Sequence, residues 1–243
     1  MGDRPEVVVV TGASRGVGAG VAVGVARPGR HVVVNYREKE RRAAEVVAAV
    51  RESGAGATAV QADLCDENAV SAMFAEISRL GVLKVLVLNA SGGLERHADA
   101  GYALRLNRDA QVAVARRALA CMPAGGLIVF VTSHPAHFFG RRPVPIDGYA
   151  GVAESKHAGE VALRALQDEF AARGVTFVVV SGDLLEGSVA VRMLHRIDPD
   201  GVAARREAGP LPTVAEFAGA IVAAIDAPPS TGETIYVCLL YTS

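Results

Sequence analysis

The sequence alternates short runs of β-branched residues with longer segments of helical spacing. Most of the short runs are continuously apolar, which is typical of strands buried on both faces of a parallel sheet. Repeated strand–helix alternation predicts a doubly wound parallel sheet, in which helices cover both faces. We find no linker and no internal repeat, so we expect residues 1–243 to form a single α/β domain. The predicted strands are 6–12, 31–36, 58–63, 84–90, 127–133, 176–182 and 233–237.

Composition excludes several classes of partner. The 25 basic and 26 acidic residues leave a formal charge of −1, which favours neither nucleic acid nor an anionic membrane. Three widely spaced cysteines, without a histidine cluster, indicate reduced thiols and no metal site. No apolar run approaches the ~20 residues that span a bilayer, and the first residues lack the pattern of a signal peptide. We therefore expect a cytoplasmic protein.

The stretch TGASRGVG at 11–18 follows the first predicted strand directly and opens a helix. Gly12 permits a tight turn, while Gly16 and Gly18 let the backbone approach a pyrophosphate and let the helix pack on the strand. The free N–H groups at the start of that helix then bind the negative charge. The sequence thus predicts a Rossmann-type dinucleotide site made by Gly12, Ser14, Arg15, Gly16, Val17 and Gly18.

This glycine spacing, with further motifs in order, resembles the short-chain dehydrogenase/reductase family over about residues 5–237. The resemblance implies that ADL at 62–64 contacts the adenine and that LNAS at 88–91 adjoins the cofactor, with a serine in place of the family's glycine. After the sixth strand, the family's Pro-Gly pair is Ser-Gly here. The residues to which the resemblance gives a cofactor contact are Asp63, Leu64, Asn89, Ala90, Ser91 and Gly182.

The end of the second predicted strand bears on the choice of cofactor. Enzymes that use NAD usually have an acidic residue there, whereas a 2′-phosphate calls for basic residues. Here the strand is followed by Arg37, and Arg15 of the glycine-rich loop adds a second guanidinium, a group suited to phosphate. We expect NADPH as the cofactor; the alternative is that Arg37 simply begins a solvated helix.

The catalytic signature of the family, Tyr-x-x-x-Lys, is incomplete. Residues 154–175 align on the family's catalytic helix and identify Lys156 as the lysine, which by resemblance orients the nicotinamide ribose. The tyrosine position four residues earlier is Val152, which cannot donate a proton. Tyr149 lies a further turn away, about 4.5 Å along a helix axis. It is either a displaced proton donor or a residue that packs at a helix end.

Other catalytic positions of the family are present. The resemblance implies that Ser133 polarises the substrate carbonyl and that Asn107 has a structural and proton-relay role. His134 and His137 come soon after Ser133 and are alternative donors, because imidazole titrates near neutral pH. His134 directly follows the strand and is expected to face the cleft; the alternative is a loop histidine bonded to backbone. A substrate phenol or a water molecule remains a further source of the proton.

Two segments are expected to border the substrate. Phe138, Phe139 and Pro143 could form an apolar wall for a flat substrate, or lie buried under their loop. Residues 183–212, rich in glycine and proline, follow the sixth strand beyond the carboxyl edge of the sheet, where ligands bind. We interpret them as a substrate lid, the alternative being a long surface excursion. Residues 238–243 do not resemble the family's C-terminal tail.

These departures together resemble, more loosely, an atypical branch of the family that lacks the tyrosine, the angucyclinone ketoreductases of aromatic polyketide pathways. The resemblance implies an NADPH-dependent reduction of a small-molecule ketone to an alcohol, by a homodimer or homotetramer. Two alternatives remain. One is a non-catalytic NADP(H)-binding sensor or assembly protein, and the other is a 3-oxoacyl reductase, which Val152 disfavours.

Overall fold

The structure, a computed structural model, describes residues 4–94 and 101–238. Within these residues, seven parallel strands form one sheet in the order β3-β2-β1-β4-β5-β6-β7. Their direction of progression reverses between β1 and β4, which opens a crevice at the carboxyl ends of those strands. The expected doubly wound α/β fold is confirmed. The strands are β1 (Glu6–Val10), β2 (Arg30–Tyr36), β3 (Gly56–Gln61), β4 (Val82–Leu88), β5 (Leu127–Ser133), β6 (Thr176–Gly182) and β7 (Thr234–Val237).

Helices cover both faces of this sheet. The chain contains α1 (Gly16–Gly24), α2 (Glu40–Glu52), α3 (Glu67–Leu80), α4 (Tyr102–Leu104), a π-helix (Arg105–Ala110), α5 (Gln111–Cys121), α6 (His134–His137), α7 (Ala150–Arg164), α8 (Gln167–Ala172), α9 (Val189–Ile197), α10 (Pro199–Glu207) and α11 (Val214–Asp226). The helices α1, α2 and α11 pack on one face, and α3, α5 and α7 on the other. None of the helices in the described residues has both the length and the apolarity needed to cross a bilayer.

The central strand explains why its sequence is continuously apolar. Val7, Val8, Val9 and Val10 of β1 are all fully buried. Val7 and Val9 join the core beneath α3 and α5, whereas Val8 and Val10 join the core beneath α1 and α11. Successive side chains of a strand point to opposite faces, so a strand covered on both faces needs apolar residues throughout.

The segment 183–212 is more regular than its composition suggests. It contains α9 and α10, each capped by a polar side chain: Ser188 Oγ accepts from the Val191 N–H at 3.1 Å, and Asp198 Oδ1 accepts from the Gly201 N–H at 2.8 Å. Pro199 stands at the first position of α10, where its missing N–H costs nothing. The glycine and proline content of the segment therefore does not prevent helices, because Ser188, Asp198 and Pro199 stand where two helices begin. Of the tail, residues 239–243 lie outside the described residues.

Candidate active site

A cavity of about 740 Å³ lies at the carboxyl edge of the sheet. It is lined by the β1–α1 loop, the residues after β2, β4 and β5, the start of α7 and residues 183–194. Of the predicted site residues, those that line it are Gly12, Ser14, Arg15, Gly16, Val17, Arg37, Asp63, Leu64, Asn89, Ala90, Ser91, Ser133, Tyr149 and Lys156. Four others, Gly18, Asn107, His134 and Gly182, are not among the lining residues.

The glycine-rich loop is shaped to take a ligand without side chains in the way. Gly16 has φ +59°, a conformation that favours glycine, and a Cβ built on it would meet no atom within 4 Å. Gly18 has the opposite environment, since its Cβ would lie 2.6 Å from Asn89 Nδ2. Gly16 therefore borders open space in the cavity, as a pyrophosphate site requires, while Gly18 allows α1 to pack closely. The residues present fit a dinucleotide.

Two asparagines hold this loop in place. Asn35, at the end of β2, accepts a hydrogen bond from the Gly12 N–H at 3.2 Å and donates to the Ala62 carbonyl at 3.2 Å. Asn89, after β4, donates to the Thr11 carbonyl at 2.9 Å. The ends of three neighbouring strands are thus tied to the loop. Asn35 was not identified as a site residue from the sequence, because it stands inside the predicted strand 31–36 and belongs to none of the motifs.

Tyr149 reaches the serine despite its unusual position. It precedes the first residue of α7 and follows Gly148, whose φ is +76°. Its hydroxyl lies 2.9 Å from Ser133 Oγ, at the end of β5. Burial raises the pKa of Tyr149, and the hydrogen bond to Ser133 acts in the opposite direction. Val152, at the position of the family's tyrosine, is 5% exposed and lines the same cavity.

Lys156 is the buried cation of this part of the cavity. It is 8% exposed. Burial lowers its pKa from 10.5 to about 8, and the carboxylate of Glu160, one turn later on α7, opposes part of that change. At neutral pH the side chain remains protonated and can donate hydrogen bonds to hydroxyl groups.

The buried charge of Lys156 predicts a pH-dependent stability. The folded chain releases this proton above about pH 8, whereas an unfolded lysine keeps it to about 10.5, so the free energy of unfolding rises between those values. Below pH 8 the burial costs about 3 kcal/mol. We expect Lys156→Met to be more stable than the wild type at pH 7 and to lose this advantage near pH 10, as measured by urea denaturation. An equal difference at both pH values would contradict this assignment.

Asn107 lies in the π-helix, and its side chain acts as an anchor. Its Nδ2 donates to the Gly92 carbonyl at 2.9 Å and to Ser155 Oγ at 3.0 Å, while its Oδ1 accepts from the Gly92 N–H at 3.2 Å. These bonds join the segment after β4 to α7. The hydrogen bonds of the Asn107 side chain therefore fix the segment after β4 and the helix α7 relative to each other.

The structure places the two histidines away from the cavity. His134 is fully buried, and its Nδ1 lies 2.9 Å from Ser181 Oγ on β6. Burial lowers its pKa. His137 lies 2.8 Å from a carboxylate oxygen of Glu160 and 2.8 Å from the hydroxyl of Tyr236. The expectation that His134 faces the cleft is not met, because α6 begins at this residue and turns its ring towards β6.

Of the two alternatives for the aromatic residues of this loop, the structure does not support an apolar wall of the cavity. Phe138 stacks on Tyr236 of β7, with ring centroids 5.8 Å apart, and Phe139 lies beside the ring of His157. Neither residue, nor the exposed Pro143, lines the cavity. The apolar part of the wall comes instead from other residues, which are Leu94, Leu106, Val152, Leu184, Leu185, Val189, Met193, Leu194 and Phe217.

The last residue of β6 and the residue after it have structural partners. Gly182 packs against the ring of Phe217, which a Cβ would overlap, and this explains the need for glycine there. Asp183 lines the cavity, but its carboxylate forms a buried ion pair with Arg205 of α10 at 2.6 Å. This pair ties the segment 183–212 to the end of β6.

Comparison with known proteins gives a consistent result. The short chain dehydrogenase family matches residues 6–197. The chain is 36% identical over 193 residues to the 1-cyclohexenylcarbonyl-CoA reductase of Streptomyces collinus, covering 76% of this chain and 66% of that protein. It is 34% identical over 180 residues to a hydroxynaphthalene reductase of Aspergillus fumigatus, covering 70% and 63%. The matches thus span slightly less than two thirds of these relatives.

A solved structure extends the likeness over nearly the whole chain. The angucycline C-6 ketoreductase LanV with bound NADP superimposes with a TM-score of 0.78 at 26% identity, covering 97% of this chain and 95% of that one. With the family match over residues 6–197 and the fold described above, the assignment follows. The chain belongs to the short-chain dehydrogenase family.

Proposed function

We propose that the chain is an NADPH-dependent reductase that converts a ketone of an aromatic polyketide to an alcohol. The observation that carries the proposal is the 2.9 Å contact between the hydroxyls of Ser133 and Tyr149, in one cavity with buried Lys156 and the glycine-rich loop. The names of the hydroxynaphthalene reductase and of LanV support the substrate class. The tendency of the family to form dimers and tetramers supports a homodimer or homotetramer, which we place in the cytoplasm.

The fit of the glycine-rich loop supports the choice of cofactor. Gly16 and the N–H groups that start α1 would hold the pyrophosphate, Asp63 and Leu64 the adenine, and Lys156 the hydroxyls of the nicotinamide ribose. Arg15 and Arg37 supply the charge that a 2′-phosphate requires. NADPH, when bound, supplies the hydride for the carbonyl carbon.

The residues of this chain then supply the proton that the carbonyl oxygen needs to become a hydroxyl. Ser133 donates a hydrogen bond to the carbonyl oxygen and gives up its proton as that oxygen becomes a hydroxyl. Tyr149 passes its own proton to Ser133 Oγ across the 2.9 Å contact, so the serine is neutral before and after the step. The tyrosinate that results regains its proton from water, which the raised pKa of Tyr149 favours. This relay explains how a tyrosine one turn early serves the reaction, with Val152 in the usual place.

The walls of the cavity support a flat, apolar substrate. Leu184, Met193 and Leu194 of the segment 183–212 line it beside Val152. Asp198 accepts from the Asp147 N–H at 2.9 Å, which joins this segment to the loop that carries Tyr149. We propose that the segment acts as the substrate lid, closing over a polycyclic ketone and excluding water from the serine.

A panel of ketones tests the proposal. We expect NADPH oxidation with polycyclic aromatic ketones, with the alcohol identified in the product, and little oxidation with linear 3-oxoacyl thioesters. Faster turnover of the thioesters would favour a 3-oxoacyl reductase. Tight NADPH binding without oxidation of any ketone would contradict the proposal and favour a non-catalytic sensor or assembly protein.

A further inference from the structure

We propose that Tyr102 positions Arg37 for the 2′-phosphate of NADPH and thereby sets the preference of this chain for NADPH over NADH. The inference deepens the proposed function, on whose choice of cofactor it rests. Tyr102 belongs to α4, 65 residues from Arg37 along the chain, and has no role in the motifs discussed above. Both residues line the cavity, at the end remote from Ser133 along the glycine-rich loop and β2.

Arg37 and Tyr102 make two kinds of contact with each other. The Arg37 guanidinium donates a hydrogen bond to the hydroxyl of Tyr102. Its central carbon also lies 5.6 Å from the centroid of the Tyr102 ring, within the range of a cation–π interaction. Because a guanidinium has donors only, Tyr102 fixes its orientation through one N–H, and the N–H groups that now face Glu38 are the ones a phosphate would take over.

The charge around this pair suits a phosphate. Four cationic side chains line this end of the cavity, those of Arg15, Arg37, Lys39 and Arg42, against the two carboxylates of Glu38 and Asp63. An NADH molecule brings only ribose hydroxyls to this place, whereas NADPH brings a phosphate with about two negative charges. The surplus of positive charge favours the second.

Glu38 is the competing partner of Arg37. Its carboxylate lies 2.9 Å from the guanidinium, but the side chains are 58% and 41% exposed. Exposed ion pairs of this kind are weak, because water screens both charges. The ion pair can therefore open when a phosphate arrives, and Tyr102 keeps the guanidinium at the cavity when it does.

The anchor of the π-helix makes Tyr102 a rigid support. The helix that starts at Tyr102 continues without a break into the π-helix, where Asn107 is bonded to Gly92 and Ser155. A side chain five residues before this buried anchor has little freedom to move. Arg37, on a flexible stem, gains a fixed direction from it.

Calorimetric titration with 2′,5′-ADP and 5′-ADP tests the inference without any ketone. Wild type is expected to bind 2′,5′-ADP more tightly than 5′-ADP. We expect Tyr102→Phe, which keeps the ring and loses the hydroxyl, to weaken 2′,5′-ADP about tenfold and to leave 5′-ADP unchanged. Arg37→Ala is expected to remove the preference altogether. Arg41→Ala, an exposed arginine paired with Glu45, and Tyr236→Phe on β7 are the matched controls and should bind as the wild type does.

Three outcomes overturn the inference. Equal binding of the two ligands by the wild type would remove the 2′-phosphate site. Equal weakening of both ligands in Tyr102→Phe would show a general structural defect, and no weakening would show that the hydroxyl is dispensable. Since no turnover is measured, a reductase that uses NADPH but orients Arg37 without the Tyr102 hydroxyl would fail this test and still pass the ketone panel, so the two proposals fail separately.

Discussion

Replacing Tyr149 with phenylalanine is expected to lower kcat for ketone reduction by about 10²–10⁴-fold, the usual contribution of general acid catalysis. The phenyl ring keeps its place beside Leu194 and Leu184, but Ser133 loses the hydroxyl 2.9 Å away that returns its proton. The affinity for NADPH, measured by titration, should change less than twofold, because the glycine-rich loop and Lys156 are untouched.

The same exchange at Tyr236 is the control for this loss. Tyr236 lies on β7, outside the cavity, and its hydroxyl is hydrogen-bonded to His137. Tyr236→Phe should therefore keep kcat within about threefold of the wild type. Full activity in Tyr149→Phe would show that the proton comes from the substrate or from water. In that case Tyr149 only packs at the start of α7.

Replacing Gly159 with alanine is expected to destabilise the fold by about 3 kcal/mol. Gly159 lies in the middle of α7, and a Cβ there would overlap the backbone carbonyl oxygen of Asn107. Neither partner is the flexible end of a side chain, so α7 must move away from the π-helix. Urea denaturation measures the loss, and the same displacement should lower kcat by separating Ser155 from Asn107.

Gly219 of α11 provides the matched control. It also lies inside a helix, but a Cβ built on it meets no atom within 4 Å. Gly219→Ala should therefore stabilise the protein by about 0.5–1 kcal/mol, the ordinary gain on replacing glycine in a helix. If Gly159→Ala proves as stable as the wild type, the close approach of α7 to the π-helix is not as described.

The fold was predictable because its signal is local. Each strand of a sheet covered on both faces must be apolar along its whole length, and Val7 to Val10 show this directly. The glycine-rich loop is equally local, since φ +59° at Gly16 calls for glycine whatever surrounds it. The helices α9 and α10 were not predicted, because the glycines and prolines of 183–212 drew attention and the capping residues Ser188 and Asp198 did not.

The site was less predictable because it depends on tertiary placement. Residues 154–175, which align on one catalytic helix of the family, extend over two helices, α7 and α8, and α7 begins at Ala150, directly after Tyr149. The spacing of residues in a helix does not predict where the side chain of a residue just before the helix, such as Tyr149, points. The same holds for His134, a candidate proton donor whose ring instead meets Ser181 of β6, and for Tyr102, which meets Arg37 only in the folded chain.

The central claim is that Ser133 and Tyr149 act as one relay, and a double-mutant cycle on kcat tests it most directly. Wild type, Ser133→Ala, Tyr149→Phe and the double variant are compared with one aromatic ketone at saturating NADPH. A relay predicts that the double variant is within a few fold of the slower single variant, because either change alone breaks the path. Losses that multiply would show that the two hydroxyls act independently and would contradict the relay.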